Sequence, residues 1–162
     1  MLVKDIAGMI QNDSISIRLA VELDVHDIAE VAYRNSRNPW TEAGLLEELK
    51  YDFSLLIAAE LNYSNKSSII GFANLHITEP EAHLNEIAIE KQYRRMNIGS
   101  RLLYFCINES KVRGCEYITL EVRESNEEAI RFYKKNGFHI LGKRKKIYTD
   151  PNDDAIIMRL EI

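Results

Sequence analysis

No run of about 18 consecutive apolar residues occurs in this 162-residue chain, so no membrane-spanning helix is expected. Cysteine is scarce. Cys106 and Cys115 have neither C-x-x-C spacing nor a nearby His, which argues against a disulfide framework and against a zinc site. Three prolines and seven glycines leave no linker or low-complexity segment, and no internal repeat is visible. The first ten residues interrupt their apolar run with Asp5, a poor secretory signal, and a cytoplasmic protein is expected. Charge is nearly balanced, with a formal net of −4. That disfavours a dedicated nucleic-acid binder and allows a basic polypeptide partner.

What is present is enough apolar material, 46% of residues, for one compact domain over residues 15–162, with residues 1–14 as an extension of no clear periodicity. Ile15–Leu19 alternates apolar with polar and predicts a strand. Val25, Ile28, Ala29, Ala32 and Tyr33 predict one face of a helix with Asp24 as its cap, and Asn38-Pro39-Trp40 breaks it before Thr41 caps a second helix. Phe53–Leu61 and Ile69–Thr78 predict a hairpin around the polar turn Asn62–Ser68, and a third strand follows the turn Glu79-Pro80-Glu81 and ends at Ile89. An amphipathic helix over Ile98–Arg113 stops at Gly114, and Tyr117–Val122 is a strand. Ser125-Asn126 opens a helix with acids in its first turn and Lys134-Lys135 in its last. Phe138–Ile147 and Asp154–Leu160 close the order as strands. It describes an α/β chain with a mixed sheet, helices on both faces, and a locally parallel middle.

The most informative stretch is Gln92 to Leu103. A strand, a basic loop with Arg94 and Arg95, the small residues Gly99 and Ser100, and then a helix start together make a phosphate grip: first-turn amides point outward and the helix dipole adds positive charge. The alternative is a solvated turn with both arginines in water. A Walker loop is excluded by the missing Lys and first Gly, and a dinucleotide fingerprint by the presence of Gly99 alone.

The basic loop 94–99, the strand phrase Leu120-Glu121-Val122-Arg123, Ser125-Asn126, and Ala129-Ile130-x-x-Tyr133-x-x-x-Gly137-Phe138 resemble the GCN5-related N-acetyltransferases, the GNAT superfamily, over nearly the whole chain. Within it, Pro39-Trp40 and Asp154-Ala155-Ile156-Ile157-Met158 are similar to the ribosomal-protein alanine N-acetyltransferases. Tyr148-Thr149-Asp150 resembles the catalytic subunits of protein N-terminal acetyltransferases. The resemblance implies a GNAT fold, a mixed, mostly antiparallel sheet of about seven strands flanked by about four helices. It implies acetyl-CoA as co-substrate and no metal, and a partner that is a protein N-terminus, with alanine on a small-subunit ribosomal protein as the first candidate. Pantetheine would lie along Ile87, Ala88 and Ile89, pyrophosphate on the loop Arg94, Arg95, Met96, Asn97, Ile98, Gly99 and Ser100, with Asn126 a further contact. The family loop usually has Gly where Asn97 stands. Asn is the next-best residue for left-handed backbone, so the loop is still expected to form.

An amine attacking a thioester must be neutral, and a departing thiolate benefits from a proton. Glu121 shares the polar face of its strand with Thr119 and Arg123. The resemblance makes Glu121 the proton acceptor, working through water, and Tyr133 the acid at the CoA sulfur. By spacing alone, Glu121 reads as an exposed carboxylate and Tyr133 as a packed aromatic. Glu86 is a competing carboxylate. His83 has the right intrinsic pKa to take a proton, although a lone strand His is more often structural. Cys106 and Cys115 lack a base partner and read as buried hydrophobes. The acceptor is expected near the loops Arg37–Trp40 and Lys146–Pro151, with Trp40, Glu86 and Tyr148 as contacts. Trp40 reads equally well as a core anchor. The alternatives are a GNAT acting on a small-molecule amine and a non-catalytic acyl-CoA-binding regulator.

Overall fold

A computed structural model describes residues 14–162, so the expected extension, apart from Ser14, lies outside the described residues. Apolar alternation builds β1 (Ser14–Leu19), then α1 (Val25–Asn35), α2 (Glu42–Glu48), β2 (Ser54–Tyr63), β3 (Lys66–Thr78) and β4 (Glu81–Ile89). After these come α3 (Ile98–Val112), β5 (Tyr117–Arg123), α4 (Glu127–Lys135), β6 (His139–Tyr148) and β7 (Asp153–Glu161). The strands form one seven-stranded sheet in the order β1-β2-β3-β4-β5-β7-β6. Its β4–β5 pair is parallel, while β1–β2, β5–β7 and β6–β7 are antiparallel. Among the described residues, the seven strands in one mixed sheet and the four helices make the α/β fold expected from the sequence.

The described residues pack as two compact units: residues 14–75 with Glu86–Cys106, and His76–Asn85 with Ile107–Ile162. In the first, Val25, Ile28, Val31 and Ala32 of α1 pack with Leu45, Leu56, Phe72 and Ala88, and Trp40 rests against this core. Tyr33 departs from the expected apolar face and is 74% exposed, because it lies about 80° around the helix from Val25. In the second, β5 buries Ile118, Leu120 and Val122 on one face and leaves Thr119, Glu121 and Arg123 half-exposed on the other.

Local chemistry accounts for most of the boundaries. Thr41 caps α2 as expected, its hydroxyl accepting the Gly44 N–H at 3.1 Å. Asp24 does not cap α1. Its carboxylate accepts the Val21 N–H at 2.8 Å and is gripped by Arg18 at 2.7 and 2.9 Å, so the chain enters α1 through a short 3-10 turn. Arg18 holds the Asp24 carboxyl below the usual range. The hairpin turn shrinks to Ser64 and Asn65, both left-handed (φ 43° and 62°), a geometry that matches the strand twist and lets the polar flanks pair. Gly114, at φ +84°, ends α3 where a Cβ would be strained.

Candidate active site

The loop before α3 belongs to the first unit. Arg95 and Asn97 both adopt left-handed backbone, at φ 61° and 64°. Asn97 also accepts the Arg101 N–H at 3.1 Å through its carbonyl, so the helix begins directly on it. The amides of Ile98, Gly99 and Ser100 occupy the first turn, where no intrahelical acceptor exists. Alternating handedness at 95–97 is the backbone pattern that turns successive N–H groups toward one anion. The donors therefore fit a pyrophosphate. Arg94, expected among the phosphate contacts, is turned back on the protein, its Nε donating to the Ile89 carbonyl at 3.1 Å and a terminal nitrogen to Asn35 Oδ1 at 3.0 Å. Arg95 is exposed. Because β-branched residues tolerate left-handed backbone worst, Asn97→Val should cost about 1–2 kcal/mol of stability and weaken CoA binding, whereas Asn97→Gly should leave both unchanged or improved. Thermal melts with and without CoA measure both.

Just past β4, the Glu90 N–H donates to the Ile70 carbonyl of β3 at 2.9 Å. Strand alternation then turns the backbone groups of Ala88 toward β3 and those of Ile87 and Ile89 toward the other edge. Among the described pairings, β5 is in register with β4 only from Glu81 to Leu84. Of the three residues expected to line an added strand, Ile87 and Ile89 present the N–H groups and Ala88 contributes to the core. Gly71 sits opposite, where an added Cβ would come within 2.9 Å of the Ala88 carbonyl. Glu86 is bonded by the Ser36 hydroxyl and by the Trp40 side chain. Burial pushes its carboxyl up, and these two donors oppose that. Trp40 thus rests on the core, one of its two readings, and its side chain also reaches Glu86.

In the second unit, Glu121 is half-buried and its Oε1 accepts from Arg144 of β6 at 2.6 Å. Nearby on the same face, the Thr119 hydroxyl donates to Glu81, so its oxygen accepts from His83 Nδ1 at 3.0 Å. Burial pushes the His83 imidazole down, opposed by Glu81 and Glu121. A neutral ring that donates through Nδ1 leaves Nε2 as a proton acceptor. Tyr148 lies under the Arg123 guanidinium at 4.3 Å. Burial, with Glu121, pushes the Tyr148 phenol up, so it is a hydrogen-bond donor at neutral pH.

Asn126 is the N-cap of α4, its side-chain oxygen accepting the Ala129 N–H at 3.2 Å, so the cap uses Oδ1 and not the amide nitrogen. Tyr133 is half-buried, its ring 5.6 Å from Phe138 and 5.2 Å from Phe132. Cys106 and Cys115 are buried, and burial pushes the Cys115 thiol up, away from thiolate chemistry. Sequence reasoning missed Arg144, Ser36, and the Glu81–Thr119 pair that fixes His83. Only the basic run Lys143–Lys146 hinted at the first.

The description of the acetyltransferase (GNAT) family matches residues 23–138. The chain is 29% identical over 147 residues to the ribosomal protein bS18-alanine N-acetyltransferase of Haemophilus ducreyi, covering 89% of this chain and 98% of that one. The crystal structure of the ribosomal-protein-S18-alanine N-acetyltransferase from Escherichia coli overlays with a TM-score of 0.80 at 30% identity, covering 92% and 94% of the two chains. Ard1 from Thermoplasma volcanium overlays at 0.79 with 26% identity, covering 91% and 97%.

Proposed function

Because the chain belongs to the acetyltransferase (GNAT) family and is an acetyl-CoA-dependent N-acetyltransferase, we propose that it acetylates the α-amine of a protein N-terminus, with alanine of a small-subunit ribosomal protein first in line. The observation that carries this reading is the near-complete overlay on the Escherichia coli enzyme. Asn97 adopts the left-handed backbone that the usual Gly would supply, which supports the catalytic reading over a silent acyl-CoA binder.

In this reading the first-turn amides of α3 hold the pyrophosphate, and pantetheine adds as a strand against Ile87 and Ile89. The neutral α-amine attacks the thioester carbonyl, forming the N–C bond. Glu121 takes the amine proton, directly or through one water, using the oxygen that Arg144 does not engage. As the tetrahedral intermediate collapses, the C–S bond breaks and the Tyr133 hydroxyl protonates the sulfur. The proton on Glu121 then returns to Tyr133 through solvent, so charge and protons balance. Tyr148, Trp40 and Glu86 serve the acceptor side, and the Asn126 amide contacts CoA.

The test is release of CoA thiol with a panel of amines. An Ala-initiated peptide of a small-subunit ribosomal protein should give turnover, whereas spermine and an aminoglycoside should not. Turnover with the small amines alone would overturn the substrate class, and acetyl-CoA binding without any release would overturn catalysis.

A further inference from the structure

The loop that joins α1 to α2, residues 36–41, is tied to β4 through Glu86, and the end of α1 before it is held by Glu90, just past that strand. Where the helix ends, buried Glu90 takes Arg34 at 2.6 and 2.7 Å and Asn35 at 3.3 Å. Within the loop, Ser36 and Trp40 both donate to Glu86. Arg94 completes the frame by joining Asn35 to the Ile89 carbonyl. Two donors of one loop converging on one carboxylate hold its two ends at a set separation. A carboxyl group has the lone pairs to receive both, and an apolar residue there would leave an indole N–H and a hydroxyl without a partner.

We propose that Glu86 is a positioning residue that, through Ser36 and Trp40, sets the conformation of loop 36–41 and thereby the KM for the acceptor amine. The link to the acceptor rests on the acetyl-transfer reading above; the link to the loop does not.

Trp40 is the one tryptophan of the chain, so its emission reports this loop directly. Glu86→Ala, Glu86→Gln and Ser36→Ala would be compared with the unaltered full chain, in steady-state kinetics with an Ala-initiated peptide at saturating acetyl-CoA and in tryptophan emission. Glu86→Ala should raise the peptide KM about tenfold, with kcat and the acetyl-CoA KM within about twofold, and should shift Trp40 emission to the red. Glu86→Gln, which keeps an acceptor oxygen, should recover most of both changes. Ser36→Ala should give a smaller KM rise in the same direction and covers the case in which Glu86→Ala does not fold. A kcat loss of tenfold or so at unchanged KM would overturn the proposal by making Glu86 part of the chemistry. Unchanged KM and emission in Glu86→Ala would overturn it as well. If the unaltered chain acetylates no peptide, the acetyl-transfer reading fails, and Trp40 emission alone still decides whether Glu86 holds the loop.

Discussion

Replacing Glu121 by Gln is expected to lower kcat for an Ala-initiated peptide by roughly 10²-fold or more at neutral pH. The substitution is nearly isosteric, and the amide oxygen still accepts from Arg144, which sits 2.6 Å from the carboxylate. Strand β5 keeps its buried face of Ile118, Leu120 and Val122, so stability should change little. What is lost is the ability to take a proton from the attacking amine. A free peptide α-amine has a pKa of about 7.7–8.0, so most of it is charged at pH 7. Raising the pH supplies neutral amine without help from the enzyme. The variant's kcat/KM should therefore climb between about pH 6.5 and 8.5 as neutral amine forms, as it does for the unaltered chain, and its deficit should persist across that range. A pH series of initial rates measures this. Activity within about threefold of the unaltered chain at pH 7 would remove Glu121 from proton transfer and leave His83, with its acceptor Nε2, as the alternative.

The second large effect is expected at Tyr133. Tyr133→Phe should reduce kcat by about 10²-fold while leaving acetyl-CoA affinity within about twofold. The aromatic ring packs at 5.6 Å from Phe138 and 5.2 Å from Phe132, and phenylalanine keeps those contacts. Only the proton donor disappears. Because that donor serves the leaving sulfur, the deficit should shrink with an acetyl thioester whose thiol is more acidic, since such a thiolate departs without protonation. An equal deficit with both donors would place the role of the hydroxyl elsewhere than at the leaving sulfur, and unchanged turnover would assign Tyr133 to packing alone. Calorimetric titration with CoA checks that affinity is retained.

The order of elements is legible in the chain because apolar periodicity and caps are local. Thr41 and Asn126 both cap as their sequence context suggests. Asn97 was readable for the same reason: the loop needed left-handed backbone, and Asn is the side chain after Gly that accepts it. Arg144 was not readable, since its bond to Glu121 depends on β7 lying between β5 and β6, a feature of strand order rather than of spacing. Ser36 and Glu86 are 50 residues apart, and nothing local announces that they meet. Arg94 shows the converse. Its charge in a basic loop suggests phosphate, and in the structure its Nε and one terminal nitrogen donate to a carbonyl and a side-chain amide oxygen of the protein. Asp24 failed as a cap because Arg18 and the Val21 amide compete for the same carboxylate.

The most direct test of the central claim, transfer to an α-amine, is the position of the acetyl group on a peptide that offers two amines. A peptide with N-terminal Ala and an internal Lys, incubated with acetyl-CoA and this chain, would be sequenced by tandem mass spectrometry. Acetate on the Ala nitrogen, with the Lys unmodified, is the predicted result. Acetate confined to the Lys side chain, or none on either amine while a small-molecule amine is acetylated, would contradict it.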